Sequence, residues 1–405
     1  MQQPDDTQKN DKTQYQAELL ENRLIKRYKH LRKWAKRTGV LCFRLYDRDI
    51  PEIPLAIDVY EEEPEAATDK NETAAGITLR GRMFVRIALY ERPYEKQEDE
   101  ERVWLSTMEA SVAKVLGIPE DAIITKIRRR QSGDNQYEKD NGKQLLFITK
   151  EQGLRFKVNL SDYIDTGLFF DHRPLRLAVQ DEAAGKRVLN LYCYTGAFSV
   201  YAAAGDAEHI DSVDLSSRYL GWAEENMRIN GFTDKSKYRY IESDVKTFLE
   251  KISPAAEEGK YPGNTGALNS AKRIPKNSVI SSSALKNNSG RAKTTGGSYD
   301  IIILDPPTFS NSKKTDTMLD INRDWPSLVK SCTALLSENG VLYFSTNSRK
   351  LVFDEKKIPE GFSAKDITSS TIPEDFRNER IHRVWKIQKT TRHYELVHGY
   401  FPEHP

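Results

Sequence analysis

From Lys186 onward the sequence alternates short apolar runs with helical stretches, and this rhythm restricts the region to a doubly wound α/β sheet. Arg187–Tyr192 predicts a strand, followed by the turn Cys193-Tyr194-Thr195-Gly196 and a small-residue helix at Ala197–Ala204. Ile210–Val213 predicts a second strand ending in Asp214, and Ser217–Asn230 a helix with Gly231 behind it. Tyr238–Ile241 predicts a third strand, followed by Asp244 and a short helix. The strongly apolar Tyr299–Leu304 predicts a fourth strand, running into Asp305-Pro306-Pro307. Trp325–Leu336 predicts a helix and Val341–Ser345 a fifth strand. Ser253–Ser298, rich in Ser, Asn, Gly, Lys and Pro, has no such rhythm. It stands where a short connection belongs and reads as a disordered insertion in a surface loop, tolerable because closure entropy grows slowly with loop length.

The preceding half has a different texture. Residues 1–14 are polar and read as a disordered tail. Gln14 to Thr38 predicts a helix, with Leu19, Leu20, Leu24, Ile25, Tyr28, Leu31 and Ala35 at three- and four-residue steps. Its other face carries Arg23, Lys26, Arg27, Lys29, Arg32, Lys33, Lys36 and Arg37, eight cations in fifteen residues with no acid among them. Such a run fits a solvated face or a phosphate-facing stripe. Self-repulsion at helical spacing favours an anionic partner. Strand-like runs follow at Val40–Tyr46, Leu55–Tyr60, Phe84–Leu89, Ile123–Arg128, Leu145–Thr149 and Leu154–Asn159, interrupted by a helix at Glu98–Leu116. These predict a smaller α+β domain over 15–158, followed by the α/β domain over 159–405.

Composition adds exclusions. Among 405 residues, 62 basic and 60 acidic side chains leave a formal charge of +2, so bulk charge identifies no partner. No apolar run approaches the ~20 residues of a membrane span. The N-terminal residues lack the apolar region of a signal peptide. The three cysteines, Cys42, Cys193 and Cys332, are scattered, which argues against a disulfide scaffold or a cysteine metal site. A cytoplasmic protein without a metal or a membrane partner is expected.

Ligands of open parallel sheets collect beyond the carboxyl ends of the strands, and four such ends carry unusual residues here. Asn190 to Gly196 offers a close backbone approach at Gly196, yet has no G-x-G-x-x-G for a pyrophosphate. Asp214, 18 residues beyond Gly196 and next to Leu215, suits a ribose diol or the N-cap of the following helix. Asp244 suits an adenine amino group, or equally an N-cap. Asp305-Pro306-Pro307-Thr308-Phe309 is the most specific signal. The prolines hold a rigid strand exit, and Phe309 stands ready to stack on a flat base. Together these describe a site for S-adenosyl-L-methionine rather than NAD. Its cofactor contacts are Asn190, Tyr194, Thr195, Gly196, Asp214, Leu215, Asp244, Asp305 and Pro306.

The runs Asp162 to Arg176, Leu189 to Gly196 and Asp305 to Lys313 closely resemble the bacterial 23S rRNA large-subunit methyltransferase K/L family, on its C-terminal, guanine-N7-specific K half. The segment Asn22–Tyr60, with Lys33-Trp34-Ala35 and Arg44-Leu45-Tyr46-Asp47, resembles the start of that half. The likeness extends over roughly 15–400 apart from 253–298. It implies a class I, Rossmann-like methyltransferase fold, 23S rRNA or a ribosomal precursor as substrate, and N7 of a guanine as acceptor. It also implies that Asp171 and Arg173 help to hold the methionine end of the cofactor; His172 stays open, a packed or solvent-bridged histidine being favoured over a catalytic one. Nothing here matches the family's N-terminal half, so a free-standing K-type enzyme is expected. RNA affinity then falls to the N-terminal domain, through Arg23, Lys26, Arg27, Arg32, Lys33, Lys36 and Arg37.

The acceptor atom constrains the chemistry. Methylation at C5 of cytosine needs a thiolate to attack C6. In relatives of that type the thiol follows the fifth strand, where this chain reads Phe344-Ser345-Thr346-Asn347-Ser348. Guanine N7 has an in-plane lone pair and needs neither a base nor a covalent intermediate. Asn347 would then read the guanine edge, Phe309 would stack on it, and Asp305 would accept from it or meet the cofactor. Base-amino methylation and an inert RNA-binding relative are the competing readings.

Overall fold

Leu20, Leu24, Leu31 and Trp34 fall on one face of the first helix, α1 (Asp6–Thr38), and all are buried. The computed structural model describes residues 6–64, 81–90, 97–128, 145–162, 165–253, 299–310 and 318–390. Helix α1 begins eight residues before the expected Gln14, so residues 6–14 are not a disordered tail. A helix nucleated by its packed stretch extends at little cost through helix-tolerant polar residues. Residues 1–5 and the insertion from 254 to 298 lie outside the described residues.

Helix α1 packs on α2 (Glu98–Leu116), where Trp104, Met108 and Val112 are buried and Trp104 Nε1 donates to Gln16 Oε1 at 2.7 Å. Both helices share a core with a four-stranded sheet in the order β1 (Cys42–Asp47), β2 (Leu55–Glu61), β3 (Met83–Tyr90), β4 (Ile123–Arg128). The hairpin β5 (Leu146–Glu151) and β6 (Leu154–Asn159) leans on the next domain. Its Lys157 backbone bonds Asn226 and Trp222 of helix α5 (Ser217–Ile229) through both N–H and C=O.

The second sheet has seven strands in the order β14 (Phe362–Asp366), β15 (Arg383–Lys389), β13 (Leu336–Thr346), β10 (Tyr299–Leu304), β7 (Arg187–Leu191), β8 (His209–Asp214), β9 (Tyr238–Glu242), and the two-residue strands β11 (Phe309–Ser310) and β12 (Leu319–Asp320) pair separately. Five are parallel: β7, β8, β9, β10 and β13. Successive β10 residues face opposite cores. Ile301 and Ile303 meet α3 (Arg173–Glu182) and α4 (Ala197–Ala204); Ile302 and Leu304 meet α6 (Val245–Ile252) and α7 (Ile321–Thr333). Helices on both faces make this a doubly wound, Rossmann-like sheet. Two antiparallel strands, β15 and β14, extend the β13 side.

One helix is displaced from its expected position. Helix α7 runs Ile321–Thr333 rather than Trp325–Leu336, with Asp320 as N-cap accepting from the Asn322 N–H at 3.0 Å. Pro326 sits inside it, although proline favours the first turn. Leu336 already belongs to β13.

Candidate active site

The exit of β7 is the most contorted backbone around the sheet. Tyr192, Tyr194 and Gly196 have φ of 56°, 52° and 74°. A left-handed non-glycine residue costs ~1–2 kcal/mol, so the turn is held by its surroundings. The Thr195 hydroxyl donates to the Gly167 carbonyl at 2.5 Å. A Cβ at Gly196 would stand 2.7 Å from Ala223 Cβ, so α4 starts against α5 only with glycine here. The Tyr194 ring lies 5.3 Å from Phe169 and 4.6 Å from Tyr219.

The twist delivers the Tyr194 N–H to Asp214 Oδ2 at 3.0 Å, while the Ser216 N–H meets Oδ1 at 2.9 Å. The N–H of Leu215 also bonds this carboxylate. Burial pushes the Asp214 carboxyl above its usual range, against the pull of these three amides, and no cation is among its causes. A half-buried carboxylate held only by backbone has acceptor capacity left for a ribose diol. The N-cap role belongs instead to Ser216, whose Oγ accepts from the Tyr219 N–H. Asp244 does cap α6, accepting from the Thr247 N–H at 2.9 Å. The Asn190 side chain donates to Ser199 Oγ at 2.9 Å and ties β7 to α4.

The exit of β10 meets the start of α3 through a histidine. His172 is buried, with Nδ1 3.3 Å from Asp171 Oδ2, Nε2 3.5 Å from Asp305 Oδ1 and 2.7 Å from Ser345 Oγ. Burial opposes its charge, yet Asp305 and Asp171 outweigh burial and push its pKa up to about 10. Asp305 is held below the carboxylate range despite burial, because His172 is charged. His382 Nδ1 stands 3.1 Å from Asp171 Oδ2, and its ring lies 4.7 Å from that of His172. Asp171, His172 and His382 are close enough to share a cation, with candidate ligand atoms within 4.8 Å of one another. Their mutual hydrogen bonds already use those atoms.

Arg173 departs from the expected cofactor contact. Its buried guanidinium donates to Glu151 Oε2, Asp375 Oδ1 and the Cys42 carbonyl at 2.8, 2.8 and 2.9 Å. Arg176 also donates to Glu151, at Oε1. A guanidinium paired this way closes the junction between the N-terminal sheet and α3, with each of its three nitrogens turned to an acceptor of the protein rather than to the crevice.

Beyond Asp305, Pro306 is buried, Pro307 is exposed, and Phe309 is 57% exposed. The Thr308 hydroxyl donates to Asn347 Oδ1 at 2.6 Å, joining the exits of β10 and β13. Phe309 opens a two-residue antiparallel ladder with Asp320. Residues 311–317, including the Asn311, Ser312 and Lys313 of the resembling run, lie outside the described residues. All three cysteines are buried and free. Burial raises the pKa of each thiol.

The basic face of α1 is divided. Arg23 pairs with Asp49 at 2.5 Å, and Arg27 donates to the Asp375 carbonyl at 3.0 Å, so these two serve the fold rather than an external anion. Lys26, Arg32, Lys33, Lys36 and Arg37 are exposed and have no ion-pair partner among the described residues.

Asp171 and Asp305, both singled out in the sequence, meet around His172 with Ser345 and His382, which were not. Ser345 and His382 are brought in by β13 and by the chain entering β15, far away in sequence. Among the described residues no helix is long and apolar enough to cross a membrane.

Residues 77–252 match the family model described as S-adenosylmethionine-dependent methyltransferase. The chain is 38% identical over 367 residues to ribosomal RNA large subunit methyltransferase K of Neisseria meningitidis, covering 91% of this chain and 86% of that protein. It is 38% identical over 373 residues to ribosomal RNA large subunit methyltransferase K/L of Stutzerimonas stutzeri, covering 92% of this chain and 42% of that protein. It thus spans less than half the length of that K/L relative. A SAM-dependent methyltransferase from Streptococcus mutans superposes with a TM-score of 0.58 at 19% identity, over 92% of this chain and 81% of that one. A methyltransferase solved with SAH, SMU.776, superposes with a TM-score of 0.57 at 21% identity, over 91% and 81%. At such identities the likeness is one of fold.

Proposed function

The chain belongs to the family of ribosomal RNA large subunit methyltransferases K and K/L, and on that premise we propose that it methylates N7 of a guanine in large-subunit rRNA by direct in-line transfer. The cofactor is S-adenosylmethionine. When bound, it supplies an electrophilic methyl group on a sulfonium.

The observation that carries the direct route is the state of the thiols. Cys193 and Cys332 are buried with raised pKa values, and Asn347 stands where a nucleophilic cysteine would be needed. The protein therefore has to orient an acceptor that is already nucleophilic, and orientation alone can supply much of the barrier reduction. Asp214 accepts the ribose hydroxyls and Asp244 faces the adenine. Asp171 and the Asp305 carboxylate flank the methionine end; Asp305 is ionised, so it holds positive charge rather than removing a proton. Phe309 stacks on the base. Thr308 occupies the Asn347 amide oxygen, so the Asn347 NH2 remains to donate to an acceptor such as guanine O6. The exposed cations of α1 meet RNA phosphates.

The test is nucleoside mass spectrometry of large-subunit rRNA from a deletion strain, before and after treatment with the purified protein and cofactor. Appearance of 7-methylguanosine is the expected result. Appearance of 5-methylcytidine or an N-methylated base instead overturns the acceptor assignment.

A further inference from the structure

We propose that the loop at 347–352 is an RNA-backbone grip, in which Arg349 and Lys350 hold phosphates beside the target base. This rests on the reading of the substrate as RNA and adds a second contact, next to the chemistry and separate from α1.

Ser348 and Leu351 are buried at 6% and 2% exposure, whereas Asn347, Arg349, Lys350 and Val352 point outward. The buried pair is fastened from three sides. The Arg383 guanidinium donates to the Ser348 and Leu351 carbonyls at 3.2 and 2.5 Å, and itself lies over Trp385 at 5.1 Å. The Ser348 hydroxyl donates to Asn322 Oδ1 at 2.7 Å, and the Ser348 N–H to Thr346 Oγ1 at 3.1 Å. These anchors hold the two cations on a fixed loop.

On the helices beside the loop, Lys246 and Arg323 both pair with Asp324. Of the nearby acids, Asp320 caps α7 and Asp354 accepts from the Lys356 N–H at 3.1 Å, and neither pairs with Arg349 or Lys350. Arg349 and Lys350 have no ion-pair partner among the described residues. Asn347, bonded to Thr308, is two residues before Arg349, a span of at most ~7 Å. Two unneutralised cations this close to Phe309 match a stacked base with its own phosphates.

The test uses the full chain and an rRNA fragment that the wild type methylates. The Arg349→Ala, Lys350→Ala and double variants are compared by RNA affinity across a salt series, KM for RNA, and calorimetric affinity for S-adenosylmethionine. Each substitution is expected to weaken RNA binding and flatten the slope of log affinity against log salt by ~0.7 per lost phosphate contact. KM for RNA rises, while cofactor affinity and the thermal midpoint hold. Unchanged RNA affinity and salt slope in the double variant overturn the grip alone. A wild type that methylates no RNA overturns the reading of the whole site instead.

Discussion

His172 Nε2 stands 3.5 Å from Asp305 Oδ1, and this ion pair ties the head of α3 to the exit of β10. The same imidazole holds Asp171 on its other nitrogen. The cluster thus fixes two carboxylates around one buried charge, and breaking either side leaves a charge uncompensated.

That charge sets a pH dependence of stability. The pKa of His172 is raised by folding from an unperturbed ~6.5 to about 10. Its contribution is complete below ~6.5 and fades as the pH rises through the folded value. Thermal unfolding is therefore expected to shift to lower temperature across this window, and His172→Gln to flatten the decline. A variant that declines as steeply as the wild type would take His172 out of the explanation.

Asp214→Ala is expected to weaken S-adenosylmethionine binding about 10- to 100-fold, from the loss of charged hydrogen bonds worth ~1.5–3 kcal/mol. Calorimetry measures this directly, and an unaltered dissociation constant would move the ribose elsewhere.

Phe309→Ala is expected to reduce RNA methylation by the loss of ~1–3 kcal/mol of stacking, with cofactor affinity nearly intact. Steady-state kinetics with RNA as the varied substrate checks it. Equal losses in both would deny the ring its place on the base.

Cys193→Ala is expected to leave turnover essentially unchanged, because a buried thiol with a raised pKa supplies no thiolate. A trapped covalent RNA adduct lost in this variant would refute direct transfer.

The parts legible in the sequence were those encoded locally. The strongly apolar run of β10 and the shorter strand-like runs of β4 and β6 marked their bounds, as did the helical stretches of α2 and α4. Asp214 and Asp305 could be placed because the tip of a parallel strand is a fixed address. Strand β14 was not legible: Phe362–Asp366 is short, polar and mostly exposed, and exists by pairing with β15. The pairing of Arg173 with Asp375 was not legible, because the two are 202 residues apart. Arg23 and Arg27 matched their neighbours in charge, and only tertiary contacts with Asp49 and Asp375 set them apart.

The segment 372–382 leaves the catalytic sheet and comes back to it as β15, an interior strand. On the way Asp375 takes Arg173 and the Arg44 N–H, its carbonyl takes Arg27, and Glu374 meets His30. Swinging the two lobes apart would first have to break these contacts of Glu374 and Asp375 with His30, Arg27 and Arg44. Under the proposed function RNA meets a preset contour, and selectivity among targets becomes a question of which folded nucleotides can be offered to it.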